Sequence, residues 1–426
     1  MADTNNNNKI KTDPSCMDDF DPNSITPDVA LENIFNSIKS ISNTETVPVR
    51  DALGRVLAND IKSEINVPSG RNSAMDGYAV KGSDLPEYDI KKLSLIGTCL
   101  AGKPFKDNVN TGECVRIMTG AIMPEGTDTV VIQERAIADG DCISVGNDTK
   151  SGDNVREAGE DLAIGDLVLE KGMRLSPADI GLLASLGFAD VAVFKNIKVA
   201  FFSTGDELRS VGEELEDGAI YDSNRYTLYG MLARLGVEII DMGVVKDDKE
   251  LLERAFTEAA EKADVLITSG GVSVGDADYI KGVLEKKGKV QFWKVAMKPG
   301  RPLTFGNVDS AYFFGLPGNP VSVMVTFYQF VQPALKKLLG EKVCSPIMMK
   351  VPCVSKLKKR PGRVEYQRGV LEQDKSGRMV VRKTGMQGSG ILRSMADANC
   401  FIVLPLESEG VNPDEMVDVQ LFHGIV

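Results

Sequence analysis

The stretch "DVLITSGGVSVGDADYIK", residues 264–281, decides the fold of the central part of this chain. Its apolar run, Val265–Ile267, leads into a loop with three glycines and then into a segment with helical spacing. A strand that passes through a glycine-rich loop into a helix is typical of α/β proteins, which bind ligands at this end of the strand. Glycines let a ligand approach the backbone closely, and a helix start offers N–H groups to an anion. The loop also contains Asp276 and Asp278, which would repel an anion and therefore need an explanation of their own.

The same alternation of apolar strands and helical segments continues over residues 197–340. The predicted strands are Lys198–Phe202, Val237–Met242, Asp264–Thr268, Val290–Met297 and Ala311–Leu316. The predicted helices are Arg225–Leu235, Lys249–Lys262, Tyr279–Lys287 and Val321–Leu339. This βαβαβ succession predicts an α/β fold with a central, doubly wound, mostly parallel sheet and helices on both of its faces.

The flanking segments have other patterns. Residues 46–165 alternate short β-branched runs with Gly/Pro turns, which predicts a β-rich module. Helical spacing occurs on either side of this module, and strands with turn signals follow from residue 347. The predicted organisation is a disordered tail (1–25), a discontinuous linking domain (26–45 and 166–195), a β-rich module (46–165), an α/β domain (196–345) and a C-terminal β domain (346–426).

Composition excludes several classes of function. The 426 residues include 49 basic and 61 acidic side chains, a net charge of −12, which argues against duplex nucleic acid or an anionic membrane as the main partner. Seven cysteines without a C-x-x-C pair indicate reduced thiols in a cytoplasmic protein, and no signal peptide or long apolar stretch is found. The single histidine, His423, excludes Ser-His-Asp catalysis and histidine-ligated zinc.

Polar and glycine residues follow the predicted strands of the α/β domain, where a ligand would bind. The predicted ligand-binding residues are Ser203, Thr204, Gly205, Ser269, Gly270, Gly271, Ser273, Gly275, Pro299, Gly300, Arg301, Pro317, Gly318 and Asn319. Structural roles are the alternative for some of these turns: residues 317–320 form a turn with Pro320 as a first helical residue, and Asp248 is expected to be a helix N-cap. Strand alternation places Lys294 on a mainly apolar face, with Lys298 following on that side, so both lysines are expected to bind anions.

Five carboxylates accompany these anion-binding features and would repel a bound anion. A divalent cation between the carboxylates and the anion removes this conflict. Mg²⁺ takes oxygen ligands and bridges phosphates, so a phosphorylated ligand with bound Mg²⁺ is predicted. The carboxylates are Asp76, Asp161, Glu207, Asp247 and Asp278.

Seven blocks of the sequence resemble, in order, those of the molybdopterin molybdenumtransferases, the MoeA-type enzymes and the gephyrin C-terminal domain. These blocks are "NSAMDGYAV" (72–80), "RIMTGAIMPEGTDTVV" (116–131), "GEDL" (159–162), "STGDEL" (203–208), "SGGVSVGDADY" (269–279), "KVAMKPGRPL" (294–303) and "GLPGNPVS" (315–322). The resemblance runs from about residue 27 to the C-terminus.

The resemblance implies insertion of molybdenum from molybdate into adenylylated molybdopterin, with Mg²⁺ assistance and release of AMP. It also implies a homodimer whose active site lies between the α/β domain of one subunit and the β-rich module of the other, and a C-terminal domain that is a small β-barrel. The residues that it assigns to catalysis are Asp76, Thr119, Asp161, Glu207, Asp247, Asp278, Lys294 and Lys298, with Glu207, Asp247 and Asp278 as metal ligands.

Two alternatives and two departures accompany this assignment. A non-catalytic, gephyrin-like scaffold is disfavoured because the acidic set is intact, and an adenylyltransferase is disfavoured because the "SAMDGYA" block belongs to the insertion enzyme. Arg71 stands where relatives often carry an acidic residue, and Met386 stands where a histidine is common.

Overall fold

The computed structural model describes residues 23–271, 282, 284, 286 and 288–422. The chain divides into two compact units. One, called here the inserted unit, comprises residues 46–53 and 57–192, and the other, the main unit, comprises residues 1–45, 54–56 and 193–426. The finer division into five segments stays a prediction, as does the disordered tail 1–25, most of which lies outside the described residues.

Short strands dominate the chain up to residue 194. They are β1 (Thr44–Pro48), β2 (Ile61–Lys62), β3 (Asn72–Ser73), β4 (Gly77–Val80), β5 (Lys91–Cys99), β6 (Glu113–Ile117), β7 (Thr129–Ile132), β8 (Ala136–Asp139), β9 (Cys142–Val145), β10 (Val155–Arg156), β11 (Leu167–Leu169) and β12 (Asp190–Phe194). Six of them form one sheet in the order β7-β4-β6-β5-β9-β8. Strand β4 is buried on both faces because Tyr78 and Val80 pack into one apolar cluster and Ala79 into another.

Helices begin where the sequence provides capping residues. They are α1 (Pro27–Ser37), α2 (Pro177–Ser185), α3 (Ser223–Leu235), α4 (Lys249–Lys262), α5 (Pro320–Thr326), a π-helical turn (Phe327–Val331), α6 (Gln332–Leu338) and α7 (Arg393–Ala396), with 3-10 turns at Val49–Ala52, Gly82–Asp84 and Gln133–Arg135. Ser176 and Asp179 form a capping box at α2, and the Asp248 carboxylate accepts from the N–H groups of Glu250 and Leu251 at α4. The predictions for Asp248 as an N-cap and Pro320 as a first helical residue are therefore confirmed.

Longer strands follow residue 197, and most belong to two sheets. They are β13 (Lys198–Thr204), β14 (Leu208–Arg209), β15 (Ile220–Tyr221), β16 (Glu238–Val245), β17 (Val265–Ser269), β18 (Gly288–Lys294), β19 (Met297–Lys298), β20 (Pro302–Val308), β21 (Ala311–Leu316), β22 (Met348–Pro352), β23 (Leu357–Lys358), β24 (Val364–Gln373), β25 (Met379–Lys383), β26 (Cys400–Leu404), β27 (Gly410–Val411) and β28 (Met416–Leu421). The mixed α/β class predicted from the sequence is confirmed.

The first of these sheets has the order β16-β13-β17-β21-β20-β18. Strand β13 pairs in parallel with β16 on one side and β17 on the other, β17 pairs in parallel with β21, and β20 is antiparallel to both neighbours. The chain passes from β13 through α3 to β16, and then across β13 through α4 to β17, so the strand order reverses at β13. Open α/β sheets bind ligands at such a point, outside the carboxyl ends of the strands.

Packing of aromatic and aliphatic side chains holds this sheet to α4. Phe202 and Phe256 meet edge to face with ring centroids 5.5 Å apart, and Phe256 lies 5.5 Å from Phe313 on β21. All three side chains are fully buried, and burial of each apolar side chain contributes about 1.5–3 kcal/mol to stability. This core fixes the strands whose carboxyl ends form the candidate site.

The second sheet has the order β19-β24-β26-β28-β22, with β25 paired to β24. Its first strand, β19, comes from the chain between β18 and β20 and pairs in parallel with β24, through Met297↔Val364 and Lys298↔Glu365. The C-terminal sheet is thereby joined by backbone hydrogen bonds to the segment that carries the predicted anion-binding lysines. Whether this sheet closes as a barrel stays a prediction from the resemblance.

Candidate functional site

Three loops of the main unit meet at the carboxyl edge of the sheet. The register pairs Ser203 of β13 with Ser269 of β17, and Ser269 with Leu316 of β21, so the residues that follow these strands are neighbours. The Gly270 N–H donates to the Leu316 carbonyl at 3.1 Å. The glycine and polar residues predicted from the three strand ends are therefore brought together at the strand-order reversal.

Gly270 is required by its conformation and by the space around it. Its φ is +92°, and a Cβ atom placed there would lie 2.5 Å from the Thr204 carbonyl oxygen. Gly318, in the third loop, lies close enough that its own Cβ would be 3.9 Å from the Gly270 Cα. The sequence argument for close backbone approach at this loop is supported, although here one protein loop approaches another. Ser273, Gly275 and Asp278 lie outside the described residues.

Asn224, at the start of α3, bridges two of these loops and was missed by the sequence analysis. Its Nδ2 donates to Ser269 Oγ at 2.8 Å and to the Gly318 carbonyl at 2.7 Å. The signal available in the sequence is "DSN" (222–224), three polar residues before the predicted helix Arg225–Leu235, from which no role for Asn224 was predicted. Asp222 caps α3 by accepting from the Arg225 N–H at 3.1 Å.

Several buried polar atoms at this edge have no hydrogen-bond partner among the described residues. They are Ser203 Oγ, Asp222 Oδ2, Asn224 Oδ1 and Thr268 Oγ1. Buried polar groups in folded proteins almost always have a partner, and a leftover group marks a place where a ligand, ion or water completes the bonding. The concentration of such atoms at one edge of one sheet therefore indicates a binding site.

Carboxylates gather where β13 and β16 end. Thr204 Oγ1 donates to Asp247 Oδ1, and the Asp247 N–H lies 3.4 Å from Asp206 Oδ1. A Cβ atom placed on Gly205 would lie 2.6 and 2.9 Å from the two Glu207 carboxylate oxygens, so this carboxylate folds back over the loop. Asp206 was not among the predicted site residues, whereas the neighbouring Glu207 was.

In the described part of the chain, no group of three or more His, Cys, Asp or Glu side chains is arranged to hold a metal ion. The donor chemistry nevertheless fits Mg²⁺, which usually keeps several waters and binds through one or two carboxylates together with substrate phosphates. Asp247 and Glu207 supply oxygen donors of this kind beside a loop that contains Gly205. The third predicted ligand, Asp278, lies outside the described residues.

A cavity of about 680 Å³ adjoins these carboxylates. Its lining residues are Gly205, Asp206, Leu208, Arg209, Ser210, Glu213, Glu214, Val244 and Lys246. Arg209 is held in its wall by hydrogen bonds to Glu216 Oε2 at 2.8 Å and to the Asp206 carbonyl at 2.8 Å. The hydrogen bond from Arg209 also lowers the pKa of the Glu216 carboxyl. The volume lies within the range of about 300–1,000 Å³ that is usual for small-molecule sites.

The expectation that Lys294 and Lys298 lie on one strand face is wrong. Strand β18 ends at Lys294, and the next strand, β19, begins at Met297 and pairs with β24 of the other sheet. Lys298 lies on β19, where its ammonium group pairs with the Glu365 carboxylate at 3.1 Å. The two lysines therefore belong to two different sheets, and Lys298 meets a carboxylate from the C-terminal region.

The loop between β19 and β20 contains Pro299, Gly300 and Arg301, and it packs against α5. Gly300 has a φ of +96°, and a Cβ atom there would lie 2.6 Å from Thr326 Oγ1. Arg301 is buried, with 8% of its surface exposed. In the last of the predicted turns, Pro317-Gly318-Asn319, Asn319 precedes α5.

The inserted unit contains a separate pair of predicted site residues, Asp76 and Thr119. Asp76 Oδ1 accepts from both the Thr119 N–H and the Thr119 hydroxyl, each at 2.7 Å. These two hydrogen bonds, together with the charge of Arg116, lower the pKa of the Asp76 carboxyl. The structure thus joins two residues that lie 43 positions apart and keeps the carboxylate ionised.

The remaining predictions for the inserted unit concern its loops. Asp161 is exposed, and its N–H donates to the Val67 carbonyl at 3.0 Å. Arg71, which departs from the family pattern, pairs with the Glu157 carboxylate at 3.1 Å. Met386, the other departure, belongs to the main unit and is 76% exposed. A shared role for Asp161 and Asp76 stays a prediction.

No helix in the described residues is both long and apolar enough to cross a membrane.

Three family models match the chain in succession. The MoeA N-terminal region (domain I and II) matches residues 25–187, a probable molybdopterin binding domain matches residues 200–337, and the MoeA C-terminal region (domain IV) matches residues 350–422. The last two matches cover the residues of the two main-unit sheets. The resemblance seen in the sequence blocks is therefore confirmed.

Similar proteins cover nearly the whole chain. The molybdopterin molybdenumtransferase of Haemophilus influenzae is 45% identical over 94% of this chain and 100% of that protein. Gephyrin of Dictyostelium discoideum is 36% identical over 92% of this chain, which corresponds to 62% of its own length. A crystal structure of the molybdopterin biosynthesis moeA protein from Pyrococcus horikoshii is 32% identical, with a TM-score of 0.82, and covers 94% of this chain and 100% of that one. On these matches, the chain belongs to the molybdopterin molybdenumtransferase family.

Proposed function

We propose that this chain is a molybdopterin molybdenumtransferase, which takes adenylylated molybdopterin and molybdate and releases AMP. The observation that carries the proposal is the carboxyl edge of the main sheet, where unpartnered polar atoms surround a crowded set of glycine loops. Ser203 and Asn224 leave oxygen atoms without partners there. The adjoining cavity of about 680 Å³ is large enough for a small-molecule ligand. The names of the relatives supply the substrate class.

The side chains at the edge suit two anionic substrates. Molybdate is a dianion, so its desolvation has to be offset by cations and hydrogen-bond donors, for which Lys294, Lys298 and Arg301 are proposed. When two thiols of the pterin replace one molybdate oxygen, their two protons leave with that oxygen as water. Lysine ammonium groups and hydroxyl groups such as that of Thr119 are suited to move these protons.

Mg²⁺ is proposed as the cofactor, held by Asp247 and Glu207 and also by Asp278. When bound, it would neutralise charge on the phosphate oxygens as the phosphoanhydride bond to AMP is broken by water. The protein groups around it have roles of their own. The Thr204 hydroxyl donates to Asp247 and thereby orients its carboxylate, and Asp206 contacts the backbone of the same residue.

A homodimer with composite sites is proposed from the family resemblance. The test mixes two inactive proteins, Asp76→Ala and Asp278→Ala, which are co-expressed with different affinity tags. A mixed dimer would have one site with both halves wild-type, so random pairing restores about a quarter of all sites. Doubly tagged dimers without activity would show that each subunit has its own complete site.

Conversion of adenylylated molybdopterin and molybdate to active cofactor by the purified protein is the decisive experiment. The expected result is AMP release that depends on molybdate and Mg²⁺ and that Asp247→Asn strongly reduces. A protein that binds adenylylated molybdopterin but releases no AMP under any metal condition would contradict the proposal. That result would favour the gephyrin-like scaffold, which the intact carboxylates at Asp76 and Asp247 now disfavour.

A further inference from the structure

Arg116 lies in the centre of a small polar network in the inserted unit. It is the cross-strand neighbour of Tyr78 on β4 and β6, and its guanidinium carbon lies 5.1 Å from the centroid of the Tyr78 ring. Its Nη1 donates to the Tyr78 hydroxyl at 3.0 Å, and its Nη2 donates to Gln133 Oε1 at 2.5 Å. The side chain is half-buried and is held by two acceptors in fixed positions.

Gln133 connects this network to Asp76. Its backbone N–H donates to the Asp76 carbonyl at 3.0 Å, while its side-chain oxygen accepts from Arg116. Strands β4 and β7 approach each other closely at this point, because a Cβ atom on Gly77 would lie 2.1 Å from the Val131 carbonyl oxygen. The backbone from which the Asp76 carboxylate projects is therefore held by two strands and by the side chain of Arg116 acting through Gln133.

The charge of Arg116 also acts on Asp76. Both hydrogen-bond acceptors described for the guanidinium, the Tyr78 hydroxyl and the Gln133 amide, are neutral, and Gln133 Nε2 in turn donates to the Glu134 carboxylate at 3.0 Å. The pKa of the Asp76 carboxyl is lowered first by the Thr119 hydrogen bonds and further by this charge. A planar guanidinium can serve both purposes at once, because its N–H groups form a rigid fork.

We infer that Arg116 is a positioning residue for Asp76. Through its hydrogen bonds to Gln133 and Tyr78, Arg116 fixes the strand ends at which the Asp76 carboxylate meets Thr119. The inference rests on the proposed function, in which Asp76 takes part in the reaction. It adds a residue that belongs neither to the predicted catalytic carboxylates nor to the predicted anion-binding lysines. It also predicts that geometry and charge can be separated by mutation.

Three variants separate the two effects, and a fourth is the control. Arg116→Met removes the fork and the charge, Arg116→Lys keeps the charge without the fork, and Gln133→Ala removes the connection while Arg116 keeps its charge. The matched control is Arg135→Met, since Arg135 is an exposed arginine of the same unit whose Nη1 donates to the Asp148 carbonyl.

Two readouts distinguish positioning from a merely structural role. In steady-state assays, Arg116→Met is expected to lower kcat about tenfold or more with little change in KM, because small displacements of reacting groups are costly. In the pH profile of kcat, the acid limb of Arg116→Met should move to higher pH. Arg116→Lys and Gln133→Ala should also lower kcat, but their acid limb should stay at the wild-type pH. In the full-length protein with ¹³Cγ-labelled aspartate, the Asp76 signal, identified with Asp76→Asn, should titrate at higher pH in Arg116→Met only.

Three results would overturn the inference. The first is an Asp76 titration in Arg116→Met that matches the wild type. The second is a rise in KM with kcat unchanged, which would mean that Arg116 binds substrate directly. The third is an Arg135→Met variant with the same losses. If Arg116→Met fails to fold, the kcat of Arg116→Lys and Gln133→Ala tests the inference instead. A lowered kcat supports positioning, and an unchanged kcat contradicts it. An active Asp76→Asn protein would contradict the proposed function alone, because the Asp76 titration, which tests whether the charge of Arg116 acts on Asp76, does not depend on the reaction.

Discussion

The two candidate regions differ in how far the protein itself satisfies their polar groups. In the inserted unit, Asp76 accepts two hydrogen bonds from Thr119, each at 2.7 Å. At the carboxyl edge of the main sheet, Ser203, Thr268 and Asn224 have buried oxygen atoms without a partner among the described residues. Both regions carry carboxylates, but the Asp76 carboxylate has hydrogen bonds within the protein, although Asn72 Oδ1 in the same unit is buried without a partner among the described residues.

This difference indicates different roles for the two regions. A carboxylate whose hydrogen bonds are already made is preorganised, and it needs no rearrangement when a substrate arrives. Buried groups with missing partners carry a desolvation cost of about 1–3 kcal/mol each, which a ligand can remove. The main-unit edge is therefore expected to gain stability from ligand binding, whereas the Asp76–Thr119 pair contributes orientation and charge.

The largest effect is expected from Asp247→Asn at the main-unit edge. Loss of one preorganised charged group in an active site typically reduces kcat by about 10²–10³, and the nearly isosteric amide should leave the fold intact. Asp248→Asn is the matched control, because asparagine caps helices as well as aspartate does and, within the described residues, the Asp248 carboxylate accepts from the first N–H groups of α4. Molybdate-dependent AMP release and thermal unfolding measure both variants. Equal activity in the two proteins would remove Asp247 from the site.

Gly270→Ala tests whether close backbone approach constrains the same edge. The added Cβ would lie 2.5 Å from the Thr204 carbonyl oxygen, at a φ of +92°. The expected cost is about 1–3 kcal/mol of unfolding free energy, together with weaker ligand binding. Gly230→Ala in α3 is the control, since nothing lies within 4 Å of its Cβ position, and it should stabilise the protein by about 0.5–1 kcal/mol. Urea unfolding measures the stability of both variants. Equal stability would contradict the claim that close backbone approach constrains Gly270.

The smallest effect is expected at the Asp76–Thr119 pair, and it depends on pH. The pKa of Asp76 in the folded state lies below its ordinary value of 3.8, so its contribution to stability is present above that value and is lost as pH falls through the lowered pKa. Thr119→Val removes the hydroxyl donor and should reduce stability slightly at neutral pH, while Thr119→Ser should not. The two variants should converge in acid. A difference that persists at the lowest pH would attribute the effect to packing.

The sequence predicted the main sheet well where apolar runs were long and bounded by turns. Helix Lys249–Lys262 and strand Ala311–Leu316 have the predicted bounds, and strand Lys198–Phe202 is two residues longer than expected. Strand β20 was not predicted, because it begins at Pro302 directly after the Pro299-Gly300-Arg301 turn. The predicted helix Tyr279–Lys287 falls largely outside the described residues.

The candidate site was predicted less completely than the fold. The glycine loops and Asp247 followed from their position after strands, but the separation of Lys294 and Lys298 did not. A strict alternation along one strand was assumed, whereas the chain leaves β18 after Lys294 and joins the C-terminal sheet at Met297. Arg116 begins the family block at 116–131 and Asn224 follows a short strand, but neither position predicted the contacts that give these residues their roles.

By itself, the sequence determined the α/β class, the positions of the glycine-rich strand ends, the acidic residues and the family. Periodicity and turn chemistry are local properties, so they can be read along the chain. The tertiary structure decided which of these residues meet: Thr204 with Asp247, Asn224 with two loops, and Lys298 with Glu365. Such contacts join residues tens of positions apart, and they depend on strand order and register. Two segments that are equally apolar along the chain can occupy different places in a sheet, and packing alone chooses between those places.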